Sequence, residues 1–197
     1  TMKSSLSALQ SALAGLSDGT AFTALTATMS GTGVTTSTTT GAVAGSYSIN
    51  VQQLAQANQI SSAAYASNAT LGTGTVTVGV GAKSMSVTLD STNNTLSGLA
   101  SAINSASTNP GVTASVVTAA DGQHLVLTST TTGAANTVTI SGGAGVDAGL
   151  QTASFTQVTA AQDAKLTISG STVTSATNTV TGALTGGLAG GSIGAVI

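Results

Sequence analysis

Leu6, Leu9, Leu13 and Leu16 follow one another at steps of three, four and three, the a/d seam of an α-helix, and the pattern stops at Ser17, Asp18 and Gly19. A helix of about 14 residues is marginal alone in water, so this seam needs a partner. That partner lies either on its own domain or on a helix from another part of the chain or another subunit. Residues 26–46 carry Thr, Ser, Gly and Ala with scattered Val and read as an extended linker. From Tyr47 the period changes to two, with Tyr47, Ile49 and Val51 on one side, predicting a strand over 47–54 and a second over 58–65.

After a turn at 71–75 the alternation becomes regular. Val76, Val78 and Val80 share one face of a strand over 75–80, and Met85, Val87 and Leu89 share one face over 84–89, with 81–83 as the hairpin connection. Leu96, Leu99, Ala100 and Ile103 return to helical spacing, behind Asn94 or Thr95 as the cap, and Pro110 with Gly111 ends that segment. Two β-rich runs, 112–118 and 124–129, flank Asp121 and Gly122, a strong hairpin signal. Further strands are expected over 136–141, 164–169, 171–175 and 178–181, and the tail from 182 to 197 is Gly and Ala rich without a clear period. Short strands with frequent turns and one internal helix indicate small antiparallel β or α+β units rather than βαβ repeats.

Composition sharpens this picture. Charged residues are 4% of the 197, with no Arg and no Glu; the cations are Lys3, Lys83 and Lys165, and the anions are Asp18, Asp90, Asp121, Asp147 and Asp163. Binding to nucleic acid by phosphate neutralisation is therefore excluded as an expectation, since each neutralised phosphate needs a Lys or Arg. A nearly neutral surface of hydroxyls and amides also raises little repulsion against copies of itself. Hydrophobic residues are 41%, but the only aromatics are Phe22, Tyr47, Tyr65 and Phe155, so the core must be built from small side chains. Cysteine is absent, which removes disulfides and thiolate metal sites. No apolar run approaches the roughly 18 residues of a membrane span, no cleavable signal is evident, and Thr1 ahead of Met2 suggests a piece of a longer protein.

Catalytic and ligand motifs are weak. His124, the one histidine, stands three residues from Asp121, where turn formation is the expected role and a Ser-His-Asp arrangement the alternative. Residues 143–148 match G-x-G-x-x-A, with Asp163 20 residues on, but no crossover helix is expected to follow. Residues 142–147 match the start of a calcium-binding nonapeptide in a single copy, where stacked repeats are needed. Asp163 is expected to pair locally with Lys165. No catalytic residue, cofactor or metal site is expected from these patterns.

Taken together and in order, several segments resemble a known family. Gly45, Tyr47, Ile49, Val51 and Leu54 to Ala57, then Leu71, Gly72 and Gly74, then Leu96 to Asn104, then Gly111, Val112, Ala114, Val116 and Val117, are similar to the bacterial flagellar filament cap family, FliD or hook-associated protein 2. His124, Leu125, Leu127 and Ser129 with Thr132 and Gly133, and Ala161 to Gly170, continue the likeness, which covers roughly residues 45–182, with a weaker match of the leucine seam and Phe22 region to the family's N-terminal leg. The segment with Ala102, Ile103 and Asn104 also resembles one shared with flagellins, so another flagellin-like hook or filament protein is the nearest alternative; a Ser/Thr-rich extracellular adhesin or glycan-binding module is a second. From Leu184 the Gly/Ala-rich tail departs from the family's alternating strand, and the family's C-terminal helical half is absent, consistent with a fragment.

What the resemblance implies is a non-enzymatic assembly protein at the tip of the filament, outside the cell. It would form a homo-oligomeric ring, meet flagellin and the hook-filament junction proteins, insert in no membrane and bind no nucleic acid or cofactor. Export would run through the flagellar secretion channel without a cleaved signal. The expected fold is α+β, mainly β, with two small antiparallel β-rich domains, one inserted in the other, and an N-terminal helical leg segment. The expected boundaries are a helical leg and linker over 1–45, a β-rich domain from 46–70 with 152–197, and an inserted β-rich head over 71–151 with one short helix. Leu6, Leu9, Leu13 and Leu16 are the expected partner-binding residues of the leg.

Overall fold

A computed structural model describes residues 2–17, 27–28, 30–38, 44–185 and 192–196. Helix α1 is Met2–Ser17, followed by β1 (Thr35–Thr38), β2 (Ile49–Gln53), β3 (Ala57–Ser61), β4 (Gly74–Val80) and β5 (Lys83–Leu89). Helix α2 is Leu96–Ser105, followed by β6 (Val112–Ala119), β7 (Gly122–Thr132) and β8 (Val138–Gly142), then a single 3-10 turn at Thr152–Ser154. The chain continues through β9 (Thr156–Thr159), β10 (Ala164–Ile168), β11 (Ser171–Ser175), β12 (Thr179–Thr185) and β13 (Ser192–Val196). The mainly β, antiparallel α+β class expected from the periodicities is the class observed.

The chain divides into two compact units, Thr1–Val51 with Thr167–Val173 and Asn178–Ile197, and Gln52–Leu166 with Thr174–Thr177. These boundaries differ from those drawn on the sequence, which placed 57–61 and 156–159 outside the inserted part. The physical reason is β3: its partners are β7 on one side and β9 on the other, in a sheet ordered β6-β7-β3-β9. Hydrogen bonding to both neighbours binds residues either side of 71–151 into the same body as that segment.

In the larger unit the second sheet is ordered β5-β4-β8. Val76, Val78, Leu89, Leu125, Leu127 and Ile140 are all nearly inaccessible to solvent, and α2 adds Leu96, Leu99, Ala100 and Ile103 to the same core. Each of these Val, Leu and Ile side chains contributes about 1.5–3 kcal/mol relative to leaving it in water. The caps are as the sequence indicates at one end: Thr95 is the N-cap, its hydroxyl accepting the Gly98 N–H at 3.2 Å.

Three sequence expectations shift. The β6–β7 turn is Ala120 and Asp121, and Gly122 opens the next strand paired with Ala119. Its φ of 142° and the Tyr65 carbonyl, which a Cβ there would meet at 2.7 Å, explain why glycine stands one position later than a turn would need. Residues 35–38, read as linker, form β1, and the aperiodic tail supplies β13; these pair antiparallel, with β12 on the other side of β13. Residues 156–159 form β9, an edge strand. In the remaining sheet, ordered β11-β10-β2, the β10–β11 connection follows the reading: Ser169 and Gly170 both have positive φ, 47° and 85°, the pattern of a tight primed turn.

Candidate interaction surface

Helix α1 turns a row of large apolar residues to solvent. Leu6, Leu9 and Leu13 are 65%, 64% and 63% exposed, and Met2 at 86% extends the same row by one turn. The Leu16 side chain lies outside the described residues. Helix geometry puts positions 2, 6, 9 and 13 on one stripe, since steps of three and four bracket the 3.6-residue turn. The first turn has no acidic residue and the last no basic one, so nothing charged steadies the helix ends. Met2, Leu6, Leu9 and Leu13 thus make one solvent-facing apolar row, the kind of patch that interaction surfaces present.

The candidate catalytic residues meet, but in a structural arrangement. His124 sits with Nδ1 2.9 Å from the Ser62 carbonyl oxygen and Nε2 3.1 Å from Asp121 Oδ1. Both ring nitrogens therefore face acceptors, a setting that only the doubly protonated ring satisfies. The Ser62 carbonyl and then the Asp121 carboxylate raise the His124 pKa, and the bond from His124 lowers that of Asp121. No serine hydroxyl takes part: Ser62 Oγ donates to the Ala63 carbonyl at 2.8 Å and accepts the Leu125 N–H at 2.9 Å. The pair ties the β6–β7 turn to the chain following β3.

The other acidic motifs also serve the backbone. Asp147, within the glycine-rich loop, accepts from the Tyr65 hydroxyl and from the Gly149 N–H, each at 2.8 Å. Burial first, then this bond, pushes the Tyr65 pKa well above its ordinary value. No crossover helix follows the loop, which instead bridges back at Gly72 and Val146. Asp163 turns out to bond the Ala134 N–H at 2.7 Å rather than pairing with Lys165; among the described residues the ion pair within reach is His124 with Asp121. A backbone N–H held at the carboxylate by the preceding turn outcompetes a mobile lysine in water. Among the described residues no group of three or more His, Cys, Asp or Glu could hold a metal ion.

Three asparagines that the periodicity could not single out position the fold. Asn104 donates to the Ala114 carbonyl at 2.7 Å and accepts the Ala114 N–H at 2.8 Å, fastening α2 to the outer edge of β6. Asn109 bonds both backbone groups of Val112 and the Ile103 carbonyl. Asn58, 1% exposed, donates to Thr159 and accepts from Val138, linking the two sheets of its unit. A buried amide satisfied at both ends fixes register in a way that a valine cannot.

Residues 1–58 match the family model "Flagellar hook-associated protein 2 N-terminus", and residues 68–131 match "Flagellin hook IN motif". The B-type flagellar hook-associated protein 2 of Pseudomonas aeruginosa is 43% identical over 135 residues, 66% of this chain and 28% of that protein. The flagellar hook-associated protein 2 of Escherichia coli K12 is 32% identical over 195 residues, 91% of this chain and 41% of that protein. The crystal structure of the D1-D2-D3 domains of the flagellar cap protein FliD from Escherichia coli superimposes with a TM-score of 0.74 at 27% identity, covering 99% of this chain and 61% of that one. The chain thus spans less than half the length of these two curated relatives.

Proposed function

We propose that this chain, which belongs to the flagellar hook-associated protein 2 (FliD) family, is part of a flagellar filament cap, a structural protein that oligomerises at the filament tip and promotes flagellin insertion while preventing its loss. The observation that supports this most directly is the exposed row Met2, Leu6, Leu9 and Leu13, which lies within the segment matching the family's N-terminal model. In this reading α1, with Leu16 completing the row, belongs to a leg that packs against helices from the rest of the full-length protein or from its neighbours. The β units form the plate, with the unit holding 52–166 inserted in the other. Flagellin and the hook-filament junction proteins are the partners, and the route outward is the flagellar secretion channel without a cleaved signal. The hydrogen-bonded duties of His124, Asp121, Asp147 and Asp163 support a protein without an active site.

The test uses the full-length gene in a strain lacking its cap. The unaltered gene is expected to restore filaments and motility. The triple variant Leu6→Gln, Leu9→Gln and Leu13→Gln is expected to secrete unpolymerised flagellin while the β units keep their far-UV spectrum. Normal filaments from the triple variant would remove α1 from the mechanism. Failure of the unaltered gene would remove the cap reading itself.

A further inference from the structure

Two stretches carry the pattern Asn-x-Thr, in which an asparagine amide accepts a sugar when the stretch lies on a surface: Asn68-Ala69-Thr70 and Asn93-Asn94-Thr95. Transfer engages the amide nitrogen together with the hydroxyl two residues on. A chain rich in Ser and Thr forms such triplets by chance, so the fold has to tell them apart.

The second triplet is occupied. Asn93 accepts the Asp90 N–H through its side-chain oxygen at 2.8 Å and donates its amide to the Thr88 carbonyl at 3.0 Å, closing the turn after β5. The Thr95 hydroxyl caps α2 by accepting the Gly98 N–H at 3.2 Å, and it lies 3.2 Å from the Ser97 hydroxyl. Both residues are half-buried. A transferase could engage this pair only by opening the turn and uncapping the helix.

The first triplet has no such duties. Asn68 and Thr70 are exposed, and among the described residues neither side chain has a hydrogen-bond partner. They sit on a turn that the Ala69 N–H closes on the Ala66 carbonyl at 3.0 Å. That turn lies between two anchors: Tyr65 exchanges both backbone bonds with Gln123 at 2.8 Å each, and Leu71, fully buried, donates its N–H to the Asn94 carbonyl at 2.7 Å. Residues 66–70 can therefore change shape in an enzyme's groove without breaking a ladder. The left-handed φ of Asn68, 63°, accounts for an asparagine at this position by itself. It leaves Thr70, whose hydroxyl bonds nothing among the described residues, without a structural task.

We propose that Asn68 is an acceptor of N-linked glycosylation and that the fold closes Asn93 to it. The donor is a sugar activated by a diphosphate. Asn68 Nδ2 bonds to the anomeric carbon as the bond from that carbon to the diphosphate oxygen breaks. The diphosphate leaves with the electron pair, and the amide proton passes to a base of the transferase. In a chain that is 4% charged, a sugar adds solvation that charge supplies only sparsely. The inference rests on the exposed turn and does not need the flagellar reading.

In the test the intact folded chain is incubated with a soluble N-glycosyltransferase and UDP-glucose, and added hexose is read by intact mass and peptide mapping. One hexose on Asn68 is expected, with Asn93 modified at least about tenfold more slowly, because its amide and the Thr95 hydroxyl must first leave their partners. T70V should stop transfer at Asn68 and T70S should keep it, both with an unchanged far-UV spectrum. N94A makes the two triplets identical in sequence, and the difference between them should persist. A folded chain left without hexose, equal rates at the two asparagines in the wild type or in N94A, or transfer to T70V at the wild-type rate would overturn the proposal.

Discussion

The two helices carry the same kind of message and meet opposite fates. In α1 Leu6, Leu9 and Leu13 stand about two-thirds exposed, whereas in α2 Leu96, Leu99, Ala100 and Ile103 are at most 6% exposed. Propensity does not explain this, since α1 is the longer helix, with 16 residues against 10. The difference lies in what the chain supplies nearby. Helix α2 is capped by Thr95, clamped by Asn104 and Asn109, and laid on strands that follow and precede it, so its periodicity is read by its own unit. The apolar row of α1 stays in solvent. An amphipathic pattern thus predicts that a face will be buried and leaves open by what.

That contrast can be broken most directly at the apolar stripes. Leu99→Ala should lower the unfolding free energy of the larger unit by about 2–5 kcal/mol, because it leaves a cavity among packed neighbours. Leu9→Ala should leave it within about 0.5 kcal/mol, since that side chain is already in water. Urea titrations followed by circular dichroism measure both, and a comparable loss from Leu9→Ala would erase the distinction.

A sharper case is Gly98→Ala, which propensity alone says should strengthen α2 by up to about 1 kcal/mol. A Cβ at Gly98 would press on the Asn93 carbonyl oxygen and lie 2.7 Å from its carbon, so a net destabilisation of about 1–3 kcal/mol is expected. A raised melting temperature would show that the 90–94 turn yields freely.

The smallest effect is expected from His124. Its pKa is raised in the folded state, so its contribution is fully present below the unfolded value of 6.5 and fades as pH rises through the higher folded value. Asp121 has the opposite sign: its pKa is lowered, so its contribution is present above 3.8 and fades as pH falls through the folded value. The stability difference between the wild type and His124→Gln should therefore be greatest between these limits and shrink towards alkaline pH. Unfolding midpoints across pH measure it, and a gap that widens above pH 6.5 would contradict the doubly donating ring.

How much could be read from the chain follows from where each signal resides. Strands β4 to β7 and helix α2 were legible because Val76, Val78, Met85, Val87, Leu99 and Ile103 are spaced by the structure they occupy. Strand β1 was illegible, since the threonines and serine of 35–38 carry no alternation, and their pairing is decided by β13, more than a hundred residues later. The amides of Asn58, Asn104 and Asn109 were silent for a related reason. An asparagine's sequence neighbours do not say which backbone groups it will meet, and those partners lie in separate strands. Asp163 was misread towards Lys165 because proximity along the chain was taken as proximity in space, while the Ala134 N–H held the carboxylate.

The position of β3 at the middle of its sheet has a consequence in time. Gln59 bonds Thr128 across a separation of 69 residues, and Asn58 bonds Thr159 across 101. Neither side of that strand can be closed until most of the unit has emerged and its loop entropy has been overcome, whereas the β4–β5 hairpin closes locally. Chains dominated by such distant pairings fold in about milliseconds to seconds rather than microseconds. The central strand is thereby a clock: β3 is hydrogen-bonded along both sides only once residues 156–159 are in place.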